Sequence, residues 1–162
     1  MRVTEVGIDA DGLCTDKEIH TTLAMVHTYP DGDRDFSFYR NPGADMMLNK
    51  EEICEDIIKE TKIFHFGTLS MTHEEVREAT KEAIRIAEES GAVISFDPNL
   101  RPPLWNSLDE AKEQVLYGLK HCHILKISDN EIQWLTGGRR LYCGGKLDQR
   151  KISDSADSCI YG

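Results

Sequence analysis

The stretch Asp97-Pro98-Asn99-Leu100-Arg101-Pro102-Pro103-Leu104-Trp105 concentrates residue types that hold an oxygen-rich or anionic ligand. Arg101 carries a permanent, planar charge whose forked N–H donors match phosphate or sugar oxygens. Asn99 adds both a donor and an acceptor. Pro98, Pro102 and Pro103 fix φ and stiffen the loop, and Trp105 is suited to anchor its far end in a core. A rigid helix-entry loop, whose Asn and Arg serve only backbone groups, would have the same composition, and the residues alone leave both readings open.

A second segment, Lys126-Ile127-Ser128-Asp129-Asn130-Glu131, places a carboxylate where a strand would pass into a helix. Glu131 there could organise Mg²⁺-bound water near phosphates. Ser128-x-x-Glu131 is also a capping box, in which the hydroxyl and the carboxylate satisfy the first free N–H groups of a helix. The cap is the favoured reading, and one residue can serve both. The third candidate is Phe38-Tyr39-Arg40. The Tyr39 ring suits the C–H face of a polyhydroxylated ligand and Arg40 its oxygens. The same residues would suit a face packed on a core or on a partner chain.

Other chemistries lack their patterns. The six histidines form no ligand cluster, and no Gly-x-Ser-x-Gly elbow or Walker-type phosphate loop occurs. The cysteines (Cys14, Cys54, Cys122, Cys143 and Cys159) contain no C-x-x-C pair, so they read as reduced thiols of a cytoplasmic protein rather than zinc ligands. The net charge of -10 argues against a nucleic-acid groove. No apolar run approaches the roughly 20 residues that span a bilayer.

The elements that must position these loops follow from periodicity. Residues 21–28 and 35–40, separated by Tyr29-Pro30-Asp31-Gly32-Asp33, predict a β-hairpin over about 20–40. Asn49-Lys50-Glu51-Glu52 predicts a helix start with Ile53, Ile57 and Ile58 on its apolar side. Residues 62–66 predict a strand. Thr72-His73-Glu74-Glu75 fits a capping box for a helix with Val76, Ala79, Ala83, Ile86 and Ala87 on one face, stopped by Ser90-Gly91. Residues 92–96 predict a buried strand running into Asp97. Ser107 caps a helix through Leu119, residues 123–127 predict a strand, and Ser128 opens a short helix ending near Gly137. Strands separated by such helices imply an α/β fold with a doubly wound parallel sheet.

The ordered motifs carry a resemblance. Asp97-Pro98-Asn99-Leu100-Arg101 with Leu104-Trp105 resembles the D-P-N-x-R…L-W segment of ribokinase-family (PfkB) carbohydrate kinases, fructokinases in particular. Phe64-His65-Phe66-Gly67-Thr68 before it resembles that family's segments in the same order, as does Lys126–Glu131 with Leu135-Thr136-Gly137 after it. The hairpin with Phe38-Tyr39-Arg40 resembles the family's lid strands. The resemblance implies a partial ribokinase-like sheet with a hairpin lid over a sugar. It implies ATP-dependent phosphoryl transfer to a sugar hydroxyl with Mg²⁺. It places Arg40 and Tyr39 at the sugar, Asn99 and Arg101 near sugar and transferring phosphate, and Glu131 in indirect support of Mg²⁺. Ser128 stands where the family's N-x-x-E motif has Asn, which weakens the metal role. Fructose is the implied acceptor, with 2-keto-3-deoxygluconate or another sugar acid as the alternative. A homodimer through the lid strands is also implied.

Two family segments have no counterpart here. No Gly-Gly and Asn segment precedes the hairpin, and no G-A-G-D follows. The latter would supply an anion hole and the base for the sugar hydroxyl. No catalytic residue is therefore assigned. The expectation is an incomplete kinase domain over 1–137, followed by an irregular, non-family tail over 138–162, from a truncated or frame-shifted gene. An inactive fragment is the corresponding alternative to a working kinase.

Overall fold

Residues 2–137 are described by the computed structural model. A four-residue helix, α1 (Arg2–Glu5), precedes a loop that leads to the hairpin. Strand β1 (Leu23–Thr28) pairs antiparallel with β2 (Arg34–Tyr39), Leu23 opposite Tyr39 and Thr28 opposite Arg34. Turn chemistry fixes this register. Gly32 takes φ +90°, where L side chains are strained, and its N–H donates to Tyr29 O at 3.0 Å.

The second system is a three-stranded parallel sheet in the order β3 (Ile63–Gly67), β4 (Val93–Asp97), β5 (Ile124–Leu125). Helix α3 (Glu74–Glu89) connects the first two strands and α4 (Leu108–His121) the last two. With neighbouring strands in chain order, right-handed crossovers put both helices on one face. That face is the core. Phe66, Ile94 and Phe96 pack with Ile84, Ile86 and Ala87 of α3, and with Val115 and Leu119 of α4. Gly118 lets α4 lie directly on the Phe96 ring, since a Cβ there would come within 2.4 Å of it. The opposite face carries Ile63, Val93 and Ile124, which are 59 %, 39 % and 49 % exposed. Parallel sheets ordinarily bury both faces. The described residues thus build one helical layer of a doubly wound sheet and leave the other face open.

Helix ends explain where the elements stop. Gly91 at φ +76° closes α3, with its N–H on Glu88 O and the Ala92 N–H on Ala87 O. Ser107 caps α4 by accepting from the Glu110 N–H. Helix α5 (Asp129–Thr136) starts at a complete Ser128/Glu131 capping box and ends at Gly137 with φ +67°.

Three local expectations need correction. The Asn49 capping box forms, but it opens only a 3-10 turn over Lys50–Glu52. The α-helix, α2 (Glu55–Lys59), starts after Ile53 leaves helical geometry, and it buries Ile58 while Ile57 stays exposed. Helix α3 has His73, not Thr72, at its N-cap, with no side-chain cap, because the Thr72 hydroxyl is engaged elsewhere. The strand expected over 123–127 is regular only at Ile124–Leu125. Flanking bonds from the His123 N–H to Ile94 O and the Lys126 N–H to Phe96 O extend its pairing. Residues 138–162, expected as an irregular tail, lie outside the described residues.

Candidate functional site

In open parallel sheets, ligands bind beyond the carboxyl ends of the strands. Here β4 and β5 deliver two loops to that edge. Between them lies a cleft of about 570 Å³ lined by Asp97, Asn99, Arg101, Lys126, Ser128 and Glu131, among others. The loop after β4 is held from three sides. At its start, the Thr68 hydroxyl donates to the Pro98 carbonyl at 2.5 Å and the Thr68 N–H to the same oxygen at 3.2 Å. Gly67 permits this approach, since a Cβ there would meet the Asp97 carbonyl oxygen at 2.7 Å. In the middle, the Leu100 N–H donates to Glu131 Oε1 at 2.6 Å. At the far end, a 3-10 turn over Pro102–Leu104 leads into Trp105, which is buried as expected.

Asn99 sits at φ +48°, the one non-glycine residue with positive φ among those described. Asn tolerates the left-handed region better than most residues, so the type is chosen partly by the backbone. Arg101 uses one donor internally, Nη1 to Leu100 O at 3.1 Å. Its guanidinium carbon lies 5.3 Å from the centroid of the Phe36 ring of β2. Among the described residues its Nε and Nη2 have no hydrogen-bond partner. It is therefore a positioned cation with donors left for a ligand.

The carboxylates are committed. Glu131 accepts from the Leu100 N–H, from the Ser128 N–H at 2.9 Å and from the Ser128 hydroxyl at 2.6 Å. Cap and loop brace thus share one residue. Asp97 accepts from Lys126 Nζ at 2.5 Å. The hydrogen bond that Lys126 donates to Asp97, then the Asp97 charge, raises the Lys126 pKa. This pair was not singled out in the sequence, although the β4–β5 register (Ser95 opposite Ile124, Phe96 opposite Leu125) leads directly to it. Direct Mg²⁺ ligation by Glu131 is disfavoured, because its oxygens already accept three hydrogen bonds, two on Oε2 and one on Oε1. No group of three or more His, Cys, Asp or Glu able to hold a metal occurs among the described residues.

Arg40 and Tyr39 do not line this cleft. The Arg40 side chain is 5 % exposed and clasps the hairpin root to the α/β body. Its Nε donates to Asp45 Oδ2 at 2.7 Å, Nη1 to the Thr72 hydroxyl at 2.7 Å and Nη2 to Leu69 O at 3.0 Å. Tyr39 is exposed and stacks on His20. The hairpin residue that touches a lining residue of the cleft is Phe36, through Arg101, and sequence reasoning passed it over; alternation along β2 puts it on the same side as Phe38. Burial works against the Asp45 carboxylate, but hydrogen bonds from Arg40 and Thr22 outweigh it and hold the pKa below the usual 3.8. A lowered folded-state pKa gives stability that is present above 3.8 and lost as pH falls through the lower folded value. Hairpin amides are accordingly expected to lose hydrogen-exchange protection on acidification below that value while the amides of α3 keep theirs.

A parallel α/β sheet with a hairpin beside the carboxyl edge of its strands, and a cation presented there, is the architecture of a ribokinase-like α/β domain. The family model for the pfkB family carbohydrate kinases matches residues 2–142, and the chain belongs to that family. It is 44 % identical over 135 residues to Fructokinase-2 of Solanum habrochaites, a match covering 83 % of this chain and 41 % of that protein. A crystal structure of fructokinase from Xylella fastidiosa superposes with a TM-score of 0.77 at 34 % identity, over 84 % of this chain and 42 % of that one. The same enzyme with bound ATP gives 0.75 at 34 % identity, over 83 % and 42 %. The chain thus spans about two-fifths of the length of the relatives it matches. Among the described residues no helix is long and apolar enough to cross a membrane.

Proposed function

We propose that the chain forms one wall of a sugar-kinase site, in which the γ-phosphoryl group of ATP passes to a sugar hydroxyl, with fructose as the acceptor. The observation that carries this is the Arg101 guanidinium, held in the cleft with donors left over. Phosphoryl transfer depends on positioning and on stabilising charge over the phosphoryl oxygens, and a forked cation suits both. Asn99 offers its amide to sugar or phosphate oxygens at the same edge. Mg²⁺ would accompany the ATP phosphates, reached by Glu131 only through water. Tyr39 and Arg40 would then act at the lid, Arg40 by holding it in place.

A second reading has its own observation. Among the described residues the cleft carboxylates are already engaged, Asp97 by Lys126 and Glu131 by three donors. A positioned general base contributes about 10²–10⁴-fold, so the isolated chain is expected to turn over slowly or not at all. A coupled assay with ATP, Mg²⁺ and either fructose or 2-keto-3-deoxygluconate tests both readings. Slow turnover favouring fructose and lost in Arg101→Ala fits the kinase wall. Robust turnover unaffected by Arg101→Ala contradicts the site.

Two coarser points accompany the proposal. Leu23 and Met25 on β1 and Tyr39 on β2 are exposed on one side of the hairpin, which favours pairing of two chains through the lid strands; sedimentation of the purified chain would show it. Cys14, Cys54 and Cys122 are free thiols, in keeping with a reducing compartment such as the cytoplasm.

A further inference from the structure

Phe36 is the hairpin residue that contacts Arg101, a lining residue of the cleft. It lies on β2, is half-buried, and its ring stands 5.3 Å from the Arg101 guanidinium carbon. Phe38, two residues on and stacked on Phe36 at 6.1 Å, has no such contact with a cation among the described residues. The hairpin root is fixed separately by the Arg40 clasp. The hairpin is thus joined to the α/β body at its root by ion pairing and hydrogen bonds, and further along by a ring on a cation.

We infer that Phe36 is a positioning residue for Arg101: the ring holds the guanidinium so that Nε and Nη2 remain available to a phosphate in the cleft, and lid placement is thereby coupled to anion binding. The inference rests on the reading of this cleft as a phosphoryl-transfer site. An arginine side chain is otherwise free to rotate about its stem, and ordering it on binding costs entropy. A guanidinium against an aromatic ring still presents its in-plane N–H groups, so ring contact and phosphate contact are compatible. The coupling runs both ways. An anion that orders Arg101 gives the Phe36 ring a fixed partner and steadies the hairpin, and a docked hairpin strengthens anion binding.

The test is calorimetric titration of the full chain with sodium tripolyphosphate. Cation–π contacts of this kind contribute about 0.5–1 kcal/mol, so Phe36→Leu is expected to weaken binding roughly 2- to 5-fold. Phe36→Trp should restore it, and Phe38→Leu, which perturbs the same hairpin without touching Arg101, should leave it unchanged. A second readout follows the Arg101 Nε–H resonance by NMR. Its ring-current shift should vanish in Phe36→Leu and persist in Phe36→Trp. Binding lost in Arg101→Ala but unchanged in Phe36→Leu overturns the positioning role and leaves the phosphate site standing. Equal weakening by Phe36→Leu and Phe38→Leu, with no rescue by Phe36→Trp, also overturns it. Parent-like binding by Arg101→Ala, or no binding by the parent chain, overturns the site reading and the inference with it.

Discussion

Gly118→Ala is expected to destabilise the chain, although alanine is the better helix former. In an ordinary helix interior the exchange gains about 0.5–1 kcal/mol. Here the new Cβ would stand 2.4, 2.6 and 2.8 Å from three atoms of the Phe96 ring. That ring is fully buried and is stacked on Phe66 at a centroid distance of 4.6 Å, so retreat means displacing a second ring. Overpacking of this kind costs about 1–3 kcal/mol and outweighs the helix gain. The urea midpoint should fall. Phe96→Leu, which shortens the ring side chain, should relieve the clash, so the double variant should be less destabilised than the sum of the singles. Such contact pairs commonly show coupling of about 0.5–3 kcal/mol. A raised midpoint in Gly118→Ala would mean that α4 does not sit on β4 as described. The consequence reaches the site, because β4 carries the Asp97–Arg101 loop.

Arg40→Ala is expected to release the hairpin while the sheet and its helices stay folded. The side chain makes three directed hydrogen bonds and an ion pair from an almost fully buried position. Charge-assisted hydrogen bonds contribute about 1.5–3 kcal/mol each. Asp45 is half-exposed and can regain water, which moderates the loss. Leu69 O keeps its bond from the Thr72 hydroxyl at 3.0 Å. The loss should therefore concentrate in docking. Hydrogen exchange in β1 and β2 should rise sharply, with α3 and β4 little changed. Arg40→Lys should fail to rescue, because a single ammonium cannot satisfy acceptors on Asp45, Thr72 and Leu69 through a fork. Unchanged protection in the hairpin would return Arg40 to the role of a ligand contact.

The elements were largely legible in the sequence because their signals are local. The turn at Tyr29–Asp33, the apolar stripe of α3 and the Ser107 and Ser128 caps each follow from residues a few positions apart. The failures have a common cause. Thr72-His73-Glu74-Glu75 reads as a capping box until Arg40, far away in sequence, takes the Thr72 hydroxyl. Asn49-Lys50-Glu51-Glu52 caps a turn that the chain then leaves, which no local pattern reports. In the candidate site, Asn99, Arg101 and Glu131 line one cleft. Arg40 reads equally as ligand contact or clasp until its acceptors are seen. Phe36 and the Asp97–Lys126 pair emerge only once the hairpin docks and the β4–β5 register is known.

If the cleft between the β4 and β5 loops is part of a phosphoryl-transfer site, as proposed, phosphate groups enter it there. The most direct measurement is an NMR titration of the isotope-labelled chain with ATP. Expected are shift changes concentrated at Asn99–Pro102 and Ser128–Glu131, with the Arg101 side-chain N–H moving most and the response absent in Arg101→Ala. Changes concentrated elsewhere, for instance along Glu74–Lys81 at the acidic start of α3, or a response that persists in Arg101→Ala, would contradict it.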